Sequence, residues 1–390
     1  MVVDMLYPPF SLTTLPNVGS FANRHNFSGG PGALPEPVLE QVQEAIAEAP
    51  GAGVSILGVS HRSAWFREIV EETEENFRTL LSLPKGYHVL FLQGGGSLQF
   101  SMIPMNLLRG RGRSSDYLET GYWSRKATAE ARKEGAVRVA WQGDHEDFSR
   151  LPTNDEIALD PYAAYLHYVS NETVEGLQFH RVLGSEETLR ICDMSSDLLS
   201  RPIDVERFGL IYAHAQKNLG PSGVTVVLVR DDLLRDIPAG LPAMLDYRSF
   251  VDSHSIYNTP PVFAIYVMLL VTRWLRQDIG GLDAMAQINY AKAERLYRVL
   301  DGSAGFYQGH ADKDDRSWMN VAFRLADRTL EARLLAEAGE AGFTGLEGHR
   351  SLGGLRASLY NAVTPQAVDA LCSFLEDFRL RHREFAGERE

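Results

Sequence analysis

Short apolar runs, each stopping on a polar residue or a glycine turn and separated by helix-length stretches, constrain this chain more than any other feature. "YHVLFLQGGGS" (87–97) reads as a strand entering a Gly-rich turn, and "LQFSMIPMNLL" (98–108) as a buried helix behind it. "YAAYLHYVSNET" (162–173), "TLRICDMSSD" (188–197), "FGLIYAHAQKN" (208–218) and "GVTVVLVRDDLL" (223–234) read as strand-like runs with polar ends. Such alternation predicts an α/β domain with a largely parallel sheet, whose ligands sit beyond the carboxyl ends of the strands.

From about residue 262 the texture changes. "VFAIYVMLLVTRWLRQ" (262–277) and "GLDAMAQINYAKAERLYRVLDG" (281–302) carry the i, i+3, i+4 spacing of amphipathic or buried helices. "WMNVAFRLA" (318–326) reads as a strand, and "LEARLLAEAGEAG" (330–342) as a helix. "TPQAVDALCSFLEDFRLRHREF" (364–385) reads as a further helix opened by Thr364 and Pro365. A smaller α+β domain at the C-terminal end is expected. The chain is expected to divide into an extension or arm (1–25), a large domain (26–275) whose first residues can pack with the small domain, and a small domain (276–390).

The formal net charge of -13 argues against nucleic acid, since a polyanion wants a basic face. If the substrate is an anion, the arginines that bind it must be locally concentrated against that background. No apolar run approaches the about 20 residues a membrane span needs. The first residues lack the basic start and apolar stretch of a secretory signal. Two cysteines, Cys192 and Cys372, make no disulfide framework, so a reducing cytoplasm is the expected compartment.

Chemistry gathers at strand ends. Lys217 follows the apolar run Leu210 to Ala215, and Gly220, Pro221 and Gly223 force a turn into the next strand. A lysine so placed is partly desolvated, which frees its amine for Schiff-base chemistry. Read alone, it is more often a loop cap. Asp193 changes that, because neighbouring parallel strands would bring both into one crevice. A lysine and a carboxylate are what pyridoxal phosphate requires, one for the aldehyde and one for the pyridine nitrogen. Read alone, Asp193 is also a plausible helix N-cap. "QGGGSLQF" (93–100) puts three glycines and Ser97 at a helix start, where backbone N–H groups form a phosphate site. It lacks the Lys-Ser/Thr of a P-loop. His61–Arg62 and His349–Arg350, with Arg356, offer forks for a substrate with two anionic ends; singly, each arginine reads as a surface ion pair.

These residues together resemble the phosphoserine aminotransferases, class V aminotransferases of the type I pyridoxal-phosphate fold. The resemblance covers about residues 26–384. It rests on "NFSGGPGALPEPVLEQ", "GVSHRS", "FLQGGGSLQFSMIPMNLL", "GYWSRKA", "YVSNETVEG", "DMSSDLLSRPIDVERFGLIYAHAQKNLGPSGVTVVLVR", "YNTPPVFAIY" and "GHRSLGGLRASLYNAV", in that order. It implies a mixed, mostly parallel seven-stranded sheet with a small α+β domain. It implies that Lys217 binds the cofactor aldehyde and shuttles the proton, that Asp193 pairs with the pyridine nitrogen, and that Trp123 stacks on the ring. Thr173 would bond the phenolic oxygen, and Gly96, Ser97 and Gln216 the phosphate. Asn258 and Thr259 would reach that phosphate from a second subunit, implying a homodimer. Arg356 would grip the α-carboxylate. His61, Arg62, His349 and Arg350 would take the distal phosphate of phosphoserine or the side-chain carboxylate of glutamate.

The implied reaction is reversible transfer from glutamate to 3-phosphohydroxypyruvate in serine biosynthesis, with a related role in pyridoxine synthesis. No metal is assigned. Two residues depart from the family pattern: Ser97 stands where some members have arginine, and His214 where glycine is common. A desulfurase is the nearest alternative, but it wants a cysteine in a mobile loop. An alanine-type aminotransferase fits poorly with the paired His-Arg loops. A non-catalytic phosphate-ligand-binding protein would use only the Gly-rich turn.

Overall fold

The computed structural model describes residues 25–382; the 1–25 extension read from the sequence lies outside them except for its last residue. Helices are α1 (Glu36–Ala47), α2 (Ala64–Leu80), α3 (Gly95–Leu107), α4 (Tyr122–Ala131), α5 (Asp231–Leu234), α6 (Tyr247–Asp252), α7 (Val262–Gln277), α8 (Leu282–Asp301), α9 (Glu331–Glu340) and α10 (Pro365–His382). Strands are β1 (Tyr87–Leu92), β2 (Ser115–Glu119), β3 (Val137–Gln142), β4 (Leu166–Val169), β5 (Asn171–Glu172), β6 (Leu177–Gln178), β7 (Arg190–Asp193), β8 (Leu210–His214), β9 (Thr225–Arg230), β10 (Tyr307–Gly309), β11 (Asn320–Leu325) and β12 (Leu355–Ser358).

Seven strands form one sheet in the order β1-β9-β8-β7-β4-β2-β3. Only β9 runs against its neighbours, pairing antiparallel with both β1 and β8. The remaining pairs are parallel, as expected from the alternation. Side chains alternate across the sheet as a period of two demands. Ile211 and Ala213 of β8 join a core shared with α1, α2 and α7, while Leu210 and Tyr212 face the core shared with α3, α4 and α6. The result is a three-layer α/β/α sandwich with both faces of the sheet buried.

The expected helices at 262–277 and 281–302 are α7 and α8. Ten residues of α7 are buried, which explains its nearly unbroken apolar sequence. One expectation is corrected: the "DDLL" closing the fourth strand-like run is not strand but the short helix α5. Thr364 caps α10 as expected, its Oγ1 accepting the Ala367 N–H at 3.2 Å.

The antiparallel sheet β10-β11-β12 carries a separate apolar core with α8, α9 and α10. Phe27 and Ala33, near the first described residues, are buried in this core rather than beneath the large sheet. Phe27 donates its N–H to Thr344 O at 2.9 Å and accepts the Ser358 N–H at 3.0 Å. Helix α8 straddles the two bodies, with Leu282 and Met285 in the large core and Leu296 and Leu300 in the small one.

Candidate active site

Strands β7 and β8 are parallel neighbours, with Asp193 in register with Tyr212. Asp193 ends β7, and Lys217 lies just beyond β8, so both open into one cavity past the carboxyl ends of the sheet. The turn after the lysine is pressed onto α7: a Cβ built on Gly220 (φ +152°) would lie 3.5 Å from Met268 N. Glycine fits that left-handed backbone and lets the loop approach the helix.

Lys217 is buried, its Nζ donating to Thr173 Oγ1 at 2.5 Å and Ser196 Oγ at 2.8 Å. Burial lowers its pKa from 10.5 to about 8, against the opposing pull of Asp193; Arg356 lowers it further. Asp193 is also buried, and burial raises its pKa. The Ser195 side chain and backbone N–H, and the Lys217 charge, pull it back down; that N–H donates to Oδ1 at 2.8 Å.

Trp123 stands at the start of α4, its ring centroid 6.0 Å from Lys217 Nζ. Gly94 (φ +96°) and Gly95 (φ +66°) turn the chain from β1 into α3, so that Gly96 and Ser97 enter the cavity within the first helical turn. A Cβ on Gly96 would lie 3.3 Å from His214 Cδ2. The cavity is thus lined by Gly96, Ser97, Trp123, Thr173, Asp193, Gln216 and Lys217, all drawn together as the sequence suggested. Arg356 is adjacent: its Nη1 donates to Thr173 O at 3.4 Å, and its Nε is buried without a hydrogen-bond partner.

His214 lines the cavity beside Gly96, its backbone N–H donating to Ser195 Oγ at 3.3 Å. Burial, reinforced by Lys217, lowers its pKa to about 3, so the imidazole is neutral near pH 7.

The remaining predicted residues are distributed differently. His349 packs its ring 4.7 Å from that of Tyr122, and Arg350 acts on the same phenol. His61 and Arg62 lie in another hollow, beside Arg67, Glu71, Ser253 and His254. Asn258 donates to Gln93 Oε1 at 3.0 Å, while Gln93 donates to Thr259 O at 2.8 Å. Within one chain none of these six predicted residues lines the Lys217 cavity.

Sequence reasoning missed Ser195 and Ser196, although "DMSSD" was in view, and missed Glu172 and Glu175 in "NETVEG". Glu172 accepts the N–H groups of Trp123 (3.1 Å) and Ser124 (2.9 Å), and Glu175 that of Tyr122 (2.9 Å). Two buried carboxylates therefore close the orphan donors at the start of α4. Burial raises both pKa values.

The donor set suits pyridoxal phosphate. A desolvated amine, a buried carboxylate, a flanking indole and a side-chain-free helix start lie around one cavity. Among the described residues no group of His, Cys, Asp or Glu could hold a metal, and no helix is long and apolar enough to cross a membrane.

The family model for class-V aminotransferases matches residues 24–371. The phosphoserine aminotransferase of Geobacillus kaustophilus is 50% identical over 357 residues, covering 92% of this chain and 98% of the relative. That of Azotobacter vinelandii is 51% identical with the same coverage. The solved phosphoserine aminotransferase of Bacillus circulans subsp. alkalophilus superposes with a TM-score of 0.89 at 47% identity, covering 92% of this chain and 99% of that one. A pyridoxal-phosphate-bound one from Trichomonas vaginalis gives 0.85 at 36% identity, covering 90% and 99%. With nearly the whole length of both chains matched, this chain belongs to the class-V aminotransferases and, among them, to the phosphoserine aminotransferase family.

Proposed function

We propose that the chain transfers an amino group between L-glutamate and 3-phosphohydroxypyruvate, giving 2-oxoglutarate and O-phospho-L-serine. One observation carries the reading: the Lys217 amine, held by Thr173 and Ser196, shares a buried cavity with Asp193. Bound pyridoxal phosphate supplies an electron-poor ring that spreads the negative charge left when a Cα proton is removed.

The chain's own residues do the rest. Asp193 would hold a proton at the pyridine nitrogen. Lys217, with a pKa of about 8, is neutral often enough near neutral pH to act as nucleophile and then as base at Cα. Trp123, beside Lys217, would stack on the cofactor ring, and Thr173 would bond the cofactor's phenolic oxygen. The first turn of α3, with Gly96 and Ser97, takes the phosphate together with Gln216. Arg356 holds the substrate α-carboxylate, supported by its place next to Thr173.

His349 and Arg350 take the distal anion. His61, Arg62, Asn258 and Thr259 act across a homodimer interface, which accounts for their distance from their own chain's cavity. We further assign 26–275 to the cofactor domain, with its first residues such as Phe27 and Ala33 packed into the small one, and 276–390 to the small domain, and place the protein in the cytoplasm. A desulfurase reading gains no support, because Cys192 and Cys372 are both wholly buried.

Purified protein is expected to be yellow, with borohydride fixing the cofactor to Lys217. Lys217→Ala should abolish turnover of phosphoserine in a half-reaction followed by the cofactor spectrum. Full turnover in that variant would overturn the mechanism. Phosphohydroxythreonine, alanine and serine in the same assay delimit the substrate range.

A further inference from the structure

A cavity of about 1000 Å³ opens between α4 and the small sheet, beside the Lys217 site. Tyr122, Lys126 and Ser351 line its inner wall. Lys126 Nζ stands 4.9 Å from the Tyr122 ring centroid and 5.6 Å from that of Trp123. His349 packs on the other side of the phenol, and its Nδ1 is 2.6 Å from Ser351 Oγ. Tyr122 therefore sits among two cations and an imidazole. Lys126 first, then Arg350, lowers its phenolic pKa.

Neither Lys126 nor Arg350 forms an ion pair with any described carboxylate, in a protein carrying a net charge of -13. Against that acidic background the two side chains make a locally positive field that suits an anion. Carboxylates do face the cavity. Glu175 is turned to the Tyr122 N–H, and burial and Glu172 raise its pKa; Asp144 and Asp147 line it further along.

We propose that Lys126, steadied by the Tyr122 and Trp123 rings, is a specificity-determining residue that joins Arg350 in taking the distal anionic group of the substrate. This rests on the transaminase reading and adds to it a lysine and a tyrosine on the large-domain side of the seat. Lysine contributes here as a point charge, with the arginine supplying the planar fork. Tyr122, on which both cations act, offers its hydroxyl to the same anion. A charge-based seat ranks ligands by distal charge: phosphoserine, near -2, above glutamate, at -1, above alanine, which carries none.

The test uses the holoenzyme and its Lys126→Met, Lys126→Arg and Tyr122→Phe variants. Half-saturating concentrations are measured in half-reactions with phosphoserine, glutamate and alanine. Binding of 3-phosphoglycerate, which has no amine to react, is measured by calorimetry. Lys126→Met should weaken phosphoserine and 3-phosphoglycerate about tenfold, about 1.4 kcal/mol. Glutamate should weaken less and alanine not at all. Lys126→Arg should restore most of the loss, Tyr122→Phe should fall between, and added salt should narrow the gap. An equal change for alanine and phosphoserine, or none for either, overturns the proposal. If wild-type protein fails to react with phosphoserine, the transaminase reading fails instead, and calorimetry still decides the role of Lys126.

Discussion

Glu172 accepts the backbone N–H of Trp123 on Oε2 at 3.1 Å and that of Ser124 on Oε1 at 2.9 Å. The indole expected over the cofactor is thus held through its own backbone by a carboxylate nearly fifty residues away in sequence. Gly121 makes the contact possible, since a Cβ there would come within 2.7 Å of Glu172 Cδ.

Glu172→Ala leaves two backbone donors and the Thr120 hydroxyl without their acceptor. Each unsatisfied group costs about 1–3 kcal/mol, so a loss of about 2–6 kcal/mol is expected from the two backbone groups in denaturant unfolding. Trp123 should lose its fixed orientation, read as a weaker near-ultraviolet circular dichroism signal. Glu172→Gln retains one acceptor and should lose about half as much.

Gly29→Ala should separate binding from folding. A Cβ there would overlap the Arg356 guanidinium, with Cζ at 2.6 Å. The obstacle is the end of a flexible side chain, so it moves at small cost in stability, within about 1 kcal/mol. The displaced arginine no longer meets the α-carboxylate. Steady-state kinetics should show KM rising for phosphoserine and glutamate alike, with the melting temperature nearly unchanged.

Lys292 is buried in α8 and donates to the carbonyls of Leu359 (2.9 Å), Tyr360 (2.9 Å) and Val363 (2.8 Å). Its ammonium ties the loop after β12 to the helix that bridges the two cores. Lys292→Met keeps the bulk and strands three acceptors. A destabilisation of about 3 kcal/mol is expected from urea titration.

Cofactor-free protein should gain stability as pH rises from about 8 to 10.5. In that window the unfolded chain still binds the proton that folded Lys217 has released, so the slope of stability against pH is positive. Lys217→Met should reduce the slope, leaving the part owed to buried Lys292, whose pKa burial lowers to about 7. The check is unfolding free energy measured across that range for both proteins.

His167 predicts the acid limb. It is wholly buried between Tyr117 and Tyr212, with its Nε2 3.0 Å from Tyr212 Oη, and burial lowers its pKa from 6.5 to about 3. A depressed folded pKa means stability present above 6.5 and lost as pH falls toward 3. His214 adds to the same loss. His167→Phe should shallow the decline between those limits in thermal melts.

Strand ends were the legible part of this protein. Each apolar run reported where a strand stopped, and Asp193, Lys217 and Gly96 were recognisable because they follow such stops. Helix α2 also has a clear amphipathic sequence, yet nothing local says that it packs on α7 through Asn76 and Thr272, whose side chains meet at 2.9 Å. The reversal of β9 was hidden, because a Gly-Pro-Ser-Gly turn permits a return beside β8 without requiring it.

The sequence by itself determined the residue types of the site and the α/β alternation that carries them, because both are written in local pattern and turn chemistry. Only tertiary structure decided that Glu172 would brace Trp123, that Gly29 would make room for Arg356, and that Lys126 and Arg350 would converge on Tyr122. Those contacts join residues distant in sequence, and burial in a shared core, rather than any local preference, fixes where they meet.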